Sequence, residues 1–289
     1  MSTEFIKIFC CITFHYKIER IKYLFDTLLG VSEIKTEKTR ICIITNTSIR
    51  NELQKIKDII EVLNTDRIEI SIEIFDSLIN PWFLTWAHKS LMATHYLRNE
   101  YSHFLYLEDD IRVSNSNITY WLEYRETLKL KNLYPSFLRV EVALKSNEWM
   151  STDITRTISL NESNFFYSED HEVIFVNSPQ PYQGMFFYDN ELMKEHLLSV
   201  TANAKDYGLL EFVDSNPNWP GGGVAERANF ALTYHNVPDG YTSRNVLAFQ
   251  KYYLLIDNRC LVHHTPNNYA NNKSDSCFGK IKVCNLLTK

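Results

Sequence analysis

Within the first 110 residues, four apolar runs alternate with stretches of helical period, and few architectures accommodate that order. Phe5–Thr13 is almost continuously apolar, broken by Lys7, as a strand covered on both faces requires. Lys17–Leu29 sets Ile18, Ile21, Leu24, Phe25 and Leu28 at helical spacing, with Gly30 as the expected stop. Arg40–Thr45 reads as a second strand and Arg50–Leu63 as a second amphipathic helix. Arg67–Phe75 alternates apolar and polar residues, the pattern of an edge or half-buried strand. Asn80-Pro81 opens a helix predicted from Trp82 to Arg98, and Phe104–Leu107 is a fourth strand. Right-handed crossovers then give an α/β fold with a mainly parallel sheet between helices.

The second half is less regular. Phe137–Leu144, Glu172–Val176, Gly184–Tyr188, Leu254–Ile256 and Leu261–His264 read as strands, Asn190–Val200 and Ala225–Thr233 as helices. Asp214–Gly223 is turn-rich, and the chain after Asn271 is polar, with loose packing expected. No repeat or linker divides the 289 residues, so a single domain is expected. With 45% hydrophobic and 22% charged residues the chain is neither disordered nor fibrous, and a net charge of −5 gives no footprint for nucleic acid. No apolar run is long enough to cross a bilayer. The early apolar stretch Ile8–Thr13 lacks a small-residue cleavage site and reads as a buried strand rather than a signal peptide. The 6 cysteines match no zinc spacing, and reduced thiols in a cytosolic protein are the expectation.

The fourth strand runs into Glu108-Asp109-Asp110. Adjacent carboxylates at the end of a buried strand repel one another, and burial further disfavours their ionisation. A divalent cation offsets both costs; oxygen ligands suit Mn²⁺ or Mg²⁺, with positions left for phosphate oxygens. The carboxyl edge of a parallel sheet is also where open α/β folds bind ligands. The competing reading is a solvated acidic turn that merely ends a strand.

An apolar strand entering these three acids after successive strand–helix units resembles the DxD element of GT-A glycosyltransferases. The string Leu107-Glu108-Asp109-Asp110-Ile111 is similar to the form seen in N-acetylglucosaminyltransferase I type enzymes. The resemblance implies a GT-A-like, Rossmann-like fold. Residues 1–112 would form its nucleotide-binding half, 113–270 an irregular acceptor and catalytic half, and 271–289 a polar tail. It implies that Asp110 binds the metal and that Glu108 and Asp109 contact the donor. Gln183-Gly184-Met185 resembles the family's loop beside the donor sugar, which makes Gly184 a donor contact. Gly221-Gly222-Gly223-Val224-Ala225-Glu226 resembles the xED motif, in which a carboxylate at a helix start faces the acceptor. Here Ala225-Glu226 stands where Glu-Asp is usual. Val262-His263-His264 resembles the C-terminal histidine that completes the metal site.

The residues support some of these roles independently. Glu226 follows three glycines and opens a helix, and a carboxylate there suits a general base, with Asp214 in reserve. It is equally an ordinary first-turn residue. Consecutive strand side chains face opposite ways, so only one of His263 and His264 can reach the acids, and His264 is favoured. By topology, Thr13 and His15 after the first strand, Asn46 after the second and Asp76 after the third are donor-binding candidates. Lys89, on the helix before the acids, is a candidate partner for phosphate.

The expectation is a metal-dependent, inverting glycosyltransferase that uses a nucleotide sugar, most simply a UDP-sugar, and a glycan or lipid-linked acceptor. A bacterial cytosolic enzyme of surface polysaccharide synthesis fits by analogy, with Lys273, Lys280, Lys282 and Lys289 as a weak anchor at the inner membrane face. Two alternatives stand beside it. One is a catalytically degenerate GT-A-like carbohydrate-binding or scaffold protein. The other, a sugar nucleotidyltransferase, is disfavoured because FCCITFHYKIER has no glycine for a phosphate loop.

Overall fold

The computed structural model describes residues 5–203, 223–273 and 277–289. In its first part the chain alternates β1 (Lys7–Phe14), α1 (Ile21–Ser32), β2 (Lys38–Thr45), α2 (Arg50–Leu63), β3 (Ile68–Ile74), α3 (His88–Leu97) and β4 (His103–Glu108). The strands lie parallel in the order β3-β2-β1-β4. β1 and β2 are buried along nearly their whole length, whereas β3, at the edge, buries Ile68 and Ile70 and exposes most of the rest. This is an α/β architecture with a largely parallel central sheet flanked by helices.

Two local expectations are corrected. Gly30 does not stop α1, which continues to Ser32. It is buried, and a Cβ there would lie 2.4 Å from the Val113 carbonyl oxygen, so glycine is what lets the helix lie against that segment. The stretch from Trp82 to Arg98 is not one helix. Asn80 accepts from the Trp82 amide to open a 3₁₀ turn, Pro81–Trp86, and α3 starts only at His88.

The rest of the chain folds back onto this sheet. It comprises β5 (Ile111–Arg112), α4 (Asn115–Lys129), β6 (Tyr134–Pro135), β7 (Leu138–Ala143), β8 (Glu148–Ser151), β9 (Ile158–Ser159), β10 (Phe165–Tyr167), β11 (Val173–Asn177) and β12 (Met185–Asp189). There follow α5 (Asn190–Leu198), α6 (Val200–Asn203), α7 (Val224–Phe230), β13 (Asn245–Gln250), β14 (Leu255–Ile256), β15 (Leu261–His264), β16 (Ile281–Lys282) and β17 (Leu287–Thr288). β12 joins the central sheet antiparallel to β4. A second sheet has the order β16-β8-β7-β15-β5, and a third runs β10-β11-β13-β14 with β6 paired to β13. The C-terminal segment is not loose: β16 pairs with β8, β17 pairs with β9, and Val283, Leu286 and Leu287 are buried. One contiguous apolar core runs from Ile6 to Leu287. No helix among the described residues is long and apolar enough to cross a membrane.

Two pairings position the site. β1 has β2 on one side and β4 on the other, so the strand order reverses there, and it is outside the carboxyl ends at such a point that open α/β sheets bind ligands. Thr13 and Glu108 face each other across that point. β15, from near the C-terminus, lies between β7 and β5, setting His264 opposite Ile111 beside the acidic turn.

Candidate functional site at the carboxyl edge of the central sheet

The three acids stand on a clamped turn. The Asp109 carbonyl accepts from Thr27 Oγ1 at 2.9 Å, and the Asp110 carbonyl accepts from the Thr265 amide at 2.9 Å. With the backbone fixed, each carboxylate meets its own partners. Glu108 Oε1 accepts from Tyr182 Oη at 2.9 Å and Asn229 Nδ2 at 2.6 Å. Asp109 receives a two-armed grip from Arg20, Nε to Oδ2 at 2.8 Å and Nη2 to Oδ1 at 2.6 Å. The same Nη2 donates to Asp110 Oδ2 at 2.8 Å. Part of the repulsion within the acidic turn is thus offset by the protein's own guanidinium, a partner the sequence reading did not assign.

Asp110 and His264 meet as a pair. His264 Nε2 lies 3.4 Å from Asp110 Oδ2, and His264 Nδ1 donates to Glu141 Oε1 at 2.5 Å. Glu141 is fully buried and also accepts from the Ala270 amide at 2.6 Å. A carboxylate holding one ring nitrogen fixes the imidazole and presents the other, the arrangement typical of histidines that bind metals. The second oxygen of Asp110, Oδ1, is buried without a hydrogen-bond partner among the described residues. Among those residues no group of three or more His, Cys, Asp and Glu side chains is placed to hold a metal ion.

The electrostatics separate the acids. Burial, with the Asp110 charge beside it, pushes the Glu108 carboxyl up to about 7. Burial likewise raises Asp109, against the Arg20 grip. Burial also works against Asp110, but the hydrogen bond and charge of His264, with Arg20 and Arg139, outweigh it and hold Asp110 down at about 2. Burial disfavours protonation of His264, yet its bonds to Asp110 and Glu141 prevail and raise its pKa. Of the three acids, Asp110 is the one held ionised.

The remaining candidates meet different surroundings. His264 faces the acids, whereas His263 turns away, its Nε2 3.0 Å from Asn267 Oδ1 and its ring edge-on to Trp149 at 5.2 Å. His15 and Asn46 come together at the ends of β1 and β2, 3.3 Å apart, and Asn46 Oδ1 also accepts from the Tyr16 amide at 2.8 Å. Thr13 is buried at the same edge, while Asp76 is exposed beyond β3 and held by the hydroxyls of Ser48 and Ser77. Gly184 has φ +64°, its carbonyl accepts from the Glu108 amide at 3.0 Å, and a Cβ there would sit 3.1 Å from Glu108 Oε2. Lys89 corrects the expectation: its ammonium is buried over the Trp86 ring and donates to the Thr201 carbonyl, so it is committed to the protein interior. Asp214, Gly221 and Gly222 lie outside the described residues.

Glu226, in the first turn of α7, lines an open cavity of ≈ 260 Å³ together with Arg139, Asp153, Tyr182 and Tyr269. Arg139 is gripped by Asp153 through two hydrogen bonds, at 2.9 and 2.7 Å, and its guanidinium lies 4.8 Å from the Tyr182 ring and 5.7 Å from the Tyr269 ring. The same two tyrosines lead to the acids: Tyr182 bonds Glu108, and the Tyr269 ring is 5.5 Å from that of His264. Asn229, one turn beyond Glu226 on α7, completes the link to Glu108. Glu226 is thus linked to the acidic turn through Tyr182 and Asn229 and to His264 through Tyr269, while neither the three acids nor His264 line the cavity itself. Arg139 and Glu141 were legible in principle, because two charges at alternate positions of an otherwise apolar strand, FLRVEVAL, must share one face.

The chain matches no protein-family model, and it matches no curated protein.

Proposed function

We propose that this chain is a metal-dependent glycosyltransferase that moves a sugar from a nucleotide-sugar donor, most simply a UDP-sugar, to a hydroxyl of a glycan or lipid-linked acceptor. One observation carries the reading: a buried carboxylate with a free oxygen, Asp110, is set against a histidine oriented by Glu141, at the edge where the strand order reverses. Two protein ligands suit Mn²⁺ or Mg²⁺, since such ions are commonly held by one or two side chains with phosphate oxygens and water completing the shell. When bound, the ion would neutralise charge on the departing diphosphate.

The chain's own groups supply the rest. Glu226 takes the proton of the acceptor hydroxyl as its oxygen bonds to the anomeric carbon and the bond from that carbon to the diphosphate breaks, an inverting displacement. Glu108, fixed by Tyr182 and Asn229, faces Gly184 at the place assigned to the donor sugar. His15 and Asn46 lie where the base of the nucleotide would rest. The same reading favours a cytosolic enzyme of surface polysaccharide synthesis.

The test is Mn²⁺-dependent hydrolysis or transfer of UDP-sugars, with Asp110→Asn and Glu226→Gln beside the wild type. Each variant is expected to lose at least about a hundredfold in rate. Turnover that survives both chelator and Asp110→Asn refutes the metal role. The Arg20 grip on Asp109 and Asp110 favours a second reading, a degenerate carbohydrate-binding protein whose acids are neutralised internally. That protein would bind a sugar nucleotide or glycan without turnover.

A further inference from the structure

We propose that Arg20 is a built-in counter-ion of the acidic turn, which gives up Asp110 but keeps Asp109 when a nucleoside diphosphate and a divalent cation enter together. This rests on the reading that Asp110 and His264 hold the cation. The geometry is asymmetric. Arg20 grips Asp109 through two nitrogens, at 2.8 and 2.6 Å, but touches Asp110 through Nη2 alone, at 2.8 Å. The grip on Asp109 can persist while the single bond to Asp110 breaks. The third nitrogen, Nη1, has no hydrogen bond among the described residues, and the side chain is partly exposed. Two N–H groups are left for a phosphate oxygen, the acceptor that a guanidinium matches best.

The charges give the exchange its direction. With Arg20 against Oδ2, Asp110 offers a divalent cation one oxygen beside a fixed positive charge, and like charges at this range in a buried site oppose each other strongly. Lys17 stands three residues before Arg20 as a second cation on the same segment. A pyrophosphate reverses that balance by giving Arg20 another anion. Metal and diphosphate then reinforce each other through Arg20 in addition to any direct contact between them, and linkage requires the reinforcement to be equal in both directions. The cation alone binds weakly, because the protein already carries a substitute for it.

The experiment is titration of Mn²⁺, followed by the electron paramagnetic resonance of the free ion, with and without UDP. It compares wild type, Arg20→Gln, Arg20→Lys and Asp110→Asn, each checked for folding by circular dichroism. Arg20→Gln is expected to bind Mn²⁺ alone about tenfold more tightly than wild type, and the tightening produced by UDP is expected to shrink by a similar factor. Arg20→Lys, which keeps the charge but loses the fork, falls between the two. A folded Arg20→Gln that binds Mn²⁺ no more tightly than wild type overturns the proposal. Where that variant does not fold, an Arg20→Lys affinity equal to wild type overturns it. A wild type that takes up no Mn²⁺ with or without UDP, or uptake untouched by Asp110→Asn, removes the metal reading itself and the proposal with it.

Discussion

The two halves of the molecule are held together by different means. From β1 to β4 the strands pack apolar faces, with Ile8, Phe9, Ile12, Ile41, Ile43, Phe104 and Leu105 buried, and the polar groups buried with them, His88, Lys89, His95 and His103 among others, include no arginine. After β5 the strands are short, and buried polar ties replace long ladders. Arg125, Arg139 and Arg244, the buried arginines of the described chain, all belong to this half and pair with Asp189, Asp153 and Glu195. Asn177 alone donates to the Ser243 and Asn245 carbonyls, each at 3.0 Å, and accepts from the Thr242 amide at 2.7 Å. A regular sheet tolerates small losses because its stability is spread over many similar contacts. A polar network concentrates its dependence, since deleting one member leaves another buried and unpaired. The site lies at the seam, with acids from the first half and their orienting partners, apart from Arg20 and Thr27, from the second.

The sharpest test of that contrast is Asp153→Ala. It leaves the buried Arg139 guanidinium without its carboxylate, and removing one partner of a buried pair costs about 3–5 kcal/mol. Urea denaturation should show the loss. A cost below about 1 kcal/mol, the range of exposed pairs, would mean that the second half does not depend on its buried charges.

Acid should strike the buried histidines, His88 and His103 in the first half and His196 in the second. Burial pushes His88 down to about 3 and His103 down to about 4, Lys89 adding to the first shift and Asp189 opposing the second. Both are neutral in the fold, while the unfolded chain titrates them near 6.5. Below that pH the unfolded state binds protons that the native state refuses. The stability these groups contribute is therefore complete above about 6.5 and is lost as pH falls toward about 4 and then 3, at roughly 1.4 kcal/mol per pH unit for each. His103→Phe, which keeps a ring against Phe187, should flatten the upper part of that acid limb. Midpoints measured from pH 7 to 4 with the same slope in variant and wild type would contradict the assignment.

The contrast also explains what the sequence revealed. Strands buried on both faces and helices with one apolar stripe announce themselves by period, so α2 is found at its observed limits and β1, β2 and β4 within two residues of theirs. α4 escaped because Tyr120, Trp121 and Leu122 bury three successive positions, which blurs the helical stripe. Its one clear signal is the capping box of Ser114 and Asn117. β13 escaped because its neighbours in the sheet come from distant parts of the chain, and NVLAFQ is too short to declare itself. At the site, the acids and His264 stood out as chemistry out of place in apolar strands. Arg20 did not, since an arginine after a first strand is ordinary until the fold brings Asp109 and Asp110 to it.

Gly184→Ala tests the seam directly. A φ of +64° costs an alanine about 1–2 kcal/mol, and its Cβ would press on Glu108 Oε2 and Ile111. Stability should fall by that amount, and donor binding should weaken as well if Glu108 contacts the sugar. A thermal midpoint lowered with UDP-sugar affinity unchanged would separate the turn's structural part from the donor role.

The smallest effect belongs to Ile43→Val, deep in β2 and fully buried. It deletes one methylene and adds no polar group, so its cost is the lost burial plus a small cavity, about 0.5–1.5 kcal/mol. The neighbours of β2 are themselves apolar strands, β1 and β3, so the loss has no unpaired charge to amplify it. Nor does Ile43 reach the carboxyl edge, where Thr45 ends the strand. The denaturation midpoint should therefore move slightly while Mn²⁺ and UDP binding stay at wild-type values. A penalty as large as that of Asp153→Ala would show that the parallel half is as concentrated in its dependence as the polar half, and the distinction between the two modes of cohesion would fail.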